Sequence, residues 1–259
     1  MIPLNEIKEK SREHGVPFST IERDYVQNWL LKHLSNIDKL VLKGGTGIRK
    51  TYFPEYRFSD DLDFTLANKV DIHDLKDKLE YAVDRCESES EISFQKDLKM
   101  IENVNGFKAD IYFRISQKGT DRTKIKLDIT KPEHESIMLP LENRKIIHHY
   151  SDHLDAKVDV YSLEEIIAEK IRSSFQRTRP RDLYDLWYLW KEVDTKKAFE
   201  ILPDKFRSKN IEPDMDDLKR RKDDFRNAWT NSLRHQLKVL PDFDLAYEKI
   251  IGNLEEIFR

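Results

Sequence analysis

The residues with the most chemical promise lie between positions 43 and 64. Lys43-Gly44-Gly45-Thr46-Gly47 is followed by Arg57-Phe58-Ser59-Asp60-Asp61-Leu62-Asp63-Phe64. Asp61 and Asp63 are two apart in a segment that alternates apolar and polar, so on a strand their carboxylates project from one face, with Cα atoms about 6–7 Å apart. Two carboxylates that close repel, and one goes neutral unless a cation lies between them. A hard divalent cation such as Mg²⁺ suits oxygen ligands and leaves room for substrate phosphates. The glycine turn just upstream lets backbone N–H groups approach a phosphate, and a helix starting there adds its positive end. The order of residues is not that of a Walker A loop. An Asp-x-Asp pair alone is common on solvated turns, and a glycine cluster alone is often an ordinary tight turn. Here each is flanked by an apolar strand, and three of only 7 glycines fall within four residues.

A two-cation site needs a third carboxylate from a neighbouring strand. Asp128, in Lys124-Ile125-Lys126-Leu127-Asp128-Ile129-Thr130, and Asp110, in Lys108-Ala109-Asp110-Ile111-Tyr112, are the candidates, and Asp128 is preferred. Either could instead be the polar side of an amphipathic strand. A second constellation runs from Glu169-Lys170-Ile171-Arg172 to Arg177-Thr178-Arg179-Pro180-Arg181-Asp182-Leu183-Tyr184-Asp185-Leu186. Between Lys170 and Arg181 there are five basic residues and no acidic one, enough to hold a phosphate backbone or a triphosphate. The plainer account is a helix with a solvated basic face. Asp182 is placed to cap the helix that follows. The histidines form no metal motif, and no Gly-x-Ser-x-Gly or Cys–His pairing supplies a nucleophile.

These residues need elements to position them. Ser19-Thr20-Ile21-Glu22 reads as a capping box opening a helix to about Asn36. Lys39–Leu42 reads as a buried strand, 47–53 as a short helix, 58–66 as a half-buried strand, and 71–87 as a helix with Leu75, Leu79, Ala82, Val83 and Cys86 on one stripe. Strands follow at about 91–102, 107–116 and 124–130, joined by Asn105-Gly106 and by a turn at Lys118–Asp121. One or two short strands are expected within 144–160. Ser162-Leu163-Glu164-Glu165 is a second capping box. Helices are then expected to about 177, from 182 to 191, and, after Pro203, over 213–237 and 242–258. The domain plan is an α/β half, 1–160, and a helical half, 161–259.

Composition narrows the classes. The chain has 259 residues, is 37% charged and 38% hydrophobic, and carries a net charge of −3. Its mean hydropathy is −0.74. That excludes a globally basic nucleic-acid coat, though not a local basic face. Scarce glycine argues against Gly/Ser linkers and glycine-punctuated all-β folds. The single Cys86 excludes an intramolecular disulfide and fits a reducing compartment. No apolar run is long enough for a transmembrane helix, and the N-terminus lacks a signal-peptide pattern. The expectation is a soluble, cytoplasmic protein.

Taken in order, Thr20-Ile21-Glu22-Arg23-Asp24-Tyr25, the Lys43–Gly47 turn, Arg57-Phe58-Ser59-x-Asp61-Leu62-Asp63 and the 169–186 block resemble the AbiEii/AbiGii family of nucleotidyltransferase-like toxins, within the DNA polymerase β-like superfamily. The resemblance covers roughly residues 17–190, and the C-terminal 60–70 residues match no motif. It implies an α+β nucleotidyltransferase fold, with a mixed sheet flanked by helices and a helical C-terminal domain. It also implies Mg²⁺-dependent transfer from an NTP. Carried over, Lys43, Gly44, Gly45, Thr46 and Ser59 would hold the nucleotide. Asp61, Asp63 and Asp128 would bind two metal ions, with Asp128 helping to deprotonate the acceptor. Lys170 would neutralise phosphate charge, with Asp182 near it or near the nucleotide. Such toxins stand beside an antitoxin, with or without direct contact. Several relatives modify the tRNA 3′ end, so an RNA acceptor is expected, held by Arg172, Arg177, Arg179 and Arg181. A protein or small-molecule hydroxyl, or nucleotide binding without transfer, are the alternatives.

Overall fold

The computed structural model describes residues 1–115 and 122–258. The turn expected at Lys118–Asp121 lies outside them. The chain divides into two compact units, Met1–Glu135 with Leu141–Tyr161, and Ser136–Pro140 with Ser162–Arg259.

The first unit is built on a mixed eight-stranded sheet. Its strands are β1 (Leu40–Lys43), β2 (Asp61–Leu66), β3 (Ser93–Phe94), β4 (Lys99–Asn103), β5 (Gly106–Arg114), β6 (Thr123–Thr130), β7 (Glu142–Lys145) and β8 (Lys157–Val160). The order is β3-β5-β6-β2-β1-β8-β7, with β4 also paired to β5. Most neighbours are antiparallel, but β2 runs parallel to β6 and β1 parallel to β8. Alternation decides which side chains enter the core. Leu62 and Phe64 of β2, Ile125, Leu127 and Ile129 of β6, and Phe107, Ala109 and Ile111 of β5 all join one buried cluster. Residues between them on β5 and β6 face the other way and stay wet. The hairpin between β4 and β5 turns at Val104-Asn105, one residue before the expected Asn105-Gly106, because Gly106 already pairs with Asn103 as the first residue of β5; a Cβ on Gly106 would lie 1.9 Å from the Ile129 carbonyl oxygen.

Helices α1 (Leu4–His14), α2 (Phe18–Leu34) and α4 (Ile72–Ser90) contribute to that same core. The apolar stripe of α4 is buried as its spacing requires, and Asp71 caps it by accepting from the backbone N–H of His73 and Asp74. Helix α1 precedes every element that the sequence pattern marks. One expectation needs correction. The Ser19–Glu22 capping box does not form, because α2 already starts at Phe18 after Pro17, and the Glu22 carboxylate bonds to Thr123 instead.

The second unit is helical: α5 (Leu163–Gln176), α6 (Pro180–Leu189), α7 (Thr195–Ser208), α8 (Met215–Arg220), α9 (Lys222–Leu233) and α10 (Phe243–Ile257). The Ser162 hydroxyl caps α5 by accepting from Glu165 N–H at 3.2 Å. Helix α7 falls outside the elements the sequence pattern marks, because Pro203 lies inside it. Pro203 is exposed, so water can take the carbonyl its ring leaves unbonded, while Ala198, Leu202 and Phe206 bury the inner face. Asp182 does not cap α6, whose N-cap is Arg179.

Candidate active site

Strand register gathers the predicted carboxylates. Asp63 pairs with Asp128 across the parallel β2–β6 ladder, and Asp61 pairs with Lys126 two residues before. Paired residues of adjacent strands share a face, and adjacent strands lie about 4.8 Å apart, so Asp61, Asp63 and Asp128 stand together on the wet face. On the other side of β2, Lys43 is the partner of Asp63. Asp110 sits one strand further out, opposite Lys126 on β5, and is held by Lys124 at 2.9 Å. Asp128 is half exposed, 3.6 Å from the Lys108 ammonium.

The glycine turn leads straight out of β1 into a helical turn, α3 (Gly44–Gly47), which continues as a π-helical turn, Ile48–Tyr52. The helix thus begins three residues before the expected position. Gly44 has φ +68°, a conformation open to glycine, and a Cβ there would lie 2.9 Å from the Asp63 Oδ2. A Cβ on Gly45 would lie 2.6 Å from the Arg57 guanidinium. The two glycines therefore make room for a carboxylate and a buried guanidinium of the protein itself. Thr46 is fully buried and its hydroxyl donates to the Asp61 carbonyl, tying the turn to the start of β2. Lys43 is buried, with its ammonium 5.8 Å from the Tyr161 ring centre and 4.0 Å from Glu135. Ser59 is buried, and its carbonyl accepts from Gln27 at 3.0 Å.

In the helical unit the basic run is not a free cationic face. Lys170 reaches Asp182 and Asp185, both at 2.7 Å, and Arg177 reaches Asp182 at 2.9 Å. Burial alone would raise the Asp182 carboxyl, but the Lys170 and Arg177 charges overcome it and hold the group well below the usual carboxylate range. Arg172 is buried and donates to Gln176 at 3.0 Å. Its expected place on an RNA-facing surface is corrected by that burial. Arg179 is exposed and Arg181 half-buried.

Some positioning residues carried no assigned role in the sequence reading. Arg57 is one, packed against Gly45. Asp24, Arg49 and Lys50 are others. Buried Asp24 meets both Arg49 and Lys50 at 2.7 Å and accepts from the Tyr150 hydroxyl at 2.8 Å. Arg49 also donates to the Pro54 carbonyl at 3.0 Å and to that of Tyr56. This cluster pins the π-helical turn to α2. Burial holds the Lys50 ammonium down to about 8 even with Asp24 beside it. Nothing in the spacing of Asp24 and Lys50 predicts the contact, which depends on how α2 packs.

The family model for the AbiEii nucleotidyl transferase toxin of type IV toxin–antitoxin systems matches residues 29–249. The chain belongs to this family. Among solved structures, the nucleotidyltransferase toxin MenT4 of Mycobacterium tuberculosis is 20% identical, with a TM-score of 0.59 over 78% of this chain and 69% of that one. JHP933 of Helicobacter pylori is 18% identical, with a TM-score of 0.60 over 93% of each chain. No curated protein matches the chain.

The AbiEii match makes this protein a nucleotidyltransferase toxin of a type IV toxin–antitoxin system, with a nucleotide substrate and an antitoxin counterpart. Its fold is the mixed sheet flanked by helices that the structural relatives share. Among the described residues no helix is long and apolar enough to cross a membrane. In this AbiEii protein the wet face of β2 and β6 carries oxygen donors of the chemistry a hard cation takes. As the side chains stand, no three His, Cys, Asp or Glu among the described residues converge into a ready metal cluster. Mg²⁺ retains water and phosphate oxygens in its shell, so an open carboxylate face suits it better than an all-protein cage.

Proposed function

We propose that this toxin transfers a nucleotide from an NTP to the terminal hydroxyl of an RNA acceptor, with the tRNA 3′ end the acceptor expected, in a Mg²⁺-dependent reaction in the cytoplasm. The observation that carries the reading is the register that sets Asp63 beside Asp128, with Asp61 on the same face and Gly44 against the Asp63 carboxylate. Asp61, Asp63 and Asp128 would hold the cation. Bound there, magnesium would supply charge neutralisation for the triphosphate and acidify the attacking hydroxyl. Asp128, the half-exposed member, would take the hydroxyl proton. The backbone N–H groups of Gly44, Gly45 and Thr46 would receive triphosphate oxygens, since the Thr46 hydroxyl is already spent on Asp61. Lys43 and Ser59 border that turn, and Lys170 would offset phosphate charge. Attack forms a bond from the acceptor oxygen to the α-phosphorus and breaks the bond to the pyrophosphate leaving group, in line. Arg177, Arg179 and Arg181 remain candidates for RNA contact.

The test is incubation with each labelled NTP, Mg²⁺ and either total tRNA or cell lysate. Label in RNA, lost in Asp63→Asn and Asp128→Asn with the fold intact, supports the reading. Label in a protein band or a small molecule, or full activity in both variants, overturns it.

A further inference from the structure

The three carboxylates are one end of a longer ordered surface. Following the register outward from β2, one row runs Lys43, Asp63, Asp128, Lys108, Ile101 across β1, β2, β6, β5 and β4. The next runs Asp61, Lys126, Asp110, Lys99, and beyond it Lys124 pairs with Tyr112. Partners across a sheet share a face, so all of these lie on the side away from the core. The face is open: Lys99, Lys108 and Lys126 are exposed, and Ile101 is 67% exposed. Lys108 and Lys124 are shared with Asp128 and Asp110. Lys99 and Lys126 make no ion pair among the described residues.

Beyond the three carboxylates, then, the face carries four lysines against Asp110 and the exposed Asp97, which lines one pocket with Lys99, Asp110 and Tyr112. An aromatic ring and an exposed aliphatic side chain sit between the charges, and the Lys124 ammonium lies 5.8 Å from the Tyr112 ring centre. Ammonium groups interleaved with flat or apolar contacts suit a single nucleic-acid strand, whose phosphates take the charges and whose bases take the ring. The rows that carry these lysines also carry Asp61, Asp63 and Asp128, so an occupant of the face ends at the carboxylates.

We propose that the open face of β4, β5 and β6, marked by Lys99, Lys108, Lys124 and Lys126, holds the single-stranded end of the RNA acceptor and leads its terminal hydroxyl to Asp128. The proposal rests on the RNA-acceptor reading above and adds a surface to it.

The test uses the full chain with Lys99→Gln and Lys126→Gln combined, since neither lysine is needed to neutralise an aspartate. The probe is a fluorescein-labelled single-stranded RNA oligonucleotide in titrations from 0.05 to 0.3 M salt, with total tRNA for transfer. Each single-strand phosphate contact contributes about 0.7 to the salt slope, or roughly fourfold in affinity near 0.15 M. The double variant should therefore bind about 15-fold more weakly, with a slope less steep by about 1.4. Its KM for RNA should rise while its KM for NTP stays put. Lys8→Gln with Lys78→Gln makes the same charge change on α1 and α4, where both are exposed, and should stay within about twofold of the parent. Equal losses in the two double variants, or none in the first, overturn the proposal while leaving the RNA reading intact. Transfer by the parent chain to protein or a small molecule instead of RNA overturns both.

Discussion

Gly44→Ala is the sharpest probe of the glycine turn. A Cβ at Gly44 would lie 2.9 Å from the Asp63 Oδ2, at a φ of +68°. The backbone conformation alone costs a non-glycine residue about 1–2 kcal/mol. The loss of unfolded-state freedom gives back about 0.4–1 kcal/mol, so the net destabilisation should be about 1 kcal/mol. The larger effect is local. An ordinary contact needs about 3.4 Å, so the carboxylate must move about 0.5 Å. Misplacement by 1 Å costs on the order of 100-fold in rate, so about tenfold is expected here. If the carboxylate is what Gly44 accommodates, kcat falls and the KM for NTP barely moves. Gly252→Ala is the matched control: within α10, no atom lies within 4 Å of the added Cβ, so it should gain about 0.5–1 kcal/mol and leave kinetics alone. The measurements are urea unfolding and steady-state transfer of labelled nucleotide. A Gly44→Ala enzyme with unchanged kcat and a raised KM would refute the argument, because it would mean that the turn's space belongs to the phosphates.

Three further outcomes follow from buried groups. Lys170→Ala removes a buried ammonium that lies 2.7 Å from both Asp182 and Asp185, so it should cost about 3–5 kcal/mol in urea unfolding, and Lys170→Arg much less; a loss under 1 kcal/mol would contradict the ion-pair geometry. Asp182 has its folded pKa depressed, so its contribution is present above about pH 4 and fades as pH falls further. The stability gap between the parent and Asp182→Asn should narrow below pH 4 by about 1.4 kcal/mol per unit, and a gap that stays constant down to pH 3 would count against the pairing. Burial pushes the Cys86 thiol up to about 12, so a thiol reagent at pH 8 should leave the native chain unmodified and label it only on unfolding.

The periodic elements were legible because their physics is local. The α4 stripe, the strands around Leu62–Phe64 and Ile125–Ile129, and the β4–β5 hairpin, within one residue, each announce themselves within a dozen residues. So did the pair Asp61 and Asp63, through a period of two. Asp128 is preferred over Asp110 from the strand residues themselves, and the register sets Asp128 on the strand next to β2 and Asp110 one strand further away. What local patterning could not supply was tertiary exchange of partners. Glu22 left its capping box for Thr123, Asp182 left its helix end for Lys170 and Arg177, and Pro203 was absorbed into α7 because its ring faces solvent.

Charge shows the same divide in its strongest form. The run from Lys170 to Arg181 has five basic residues and no acidic one, yet in the folded unit Lys170 and Arg177 are matched by Asp182 and Asp185, and Arg172 is buried. A linear count overstates the charge that a helix pair offers to a ligand. It also misses the opposite case. Lys99, Lys108 and Lys126 belong to three strands, with acidic neighbours such as Asp97, Asp110 and Asp128 in the chain around them, so no window along the sequence stands out. Only pairing β4 with β5 and β5 with β6 sets these lysines side by side on the face that holds the carboxylates. A phosphate backbone responds to charges within about a Debye length on one surface, whatever their separation along the chain. Register is therefore the variable that decides where this toxin can hold a polyanion.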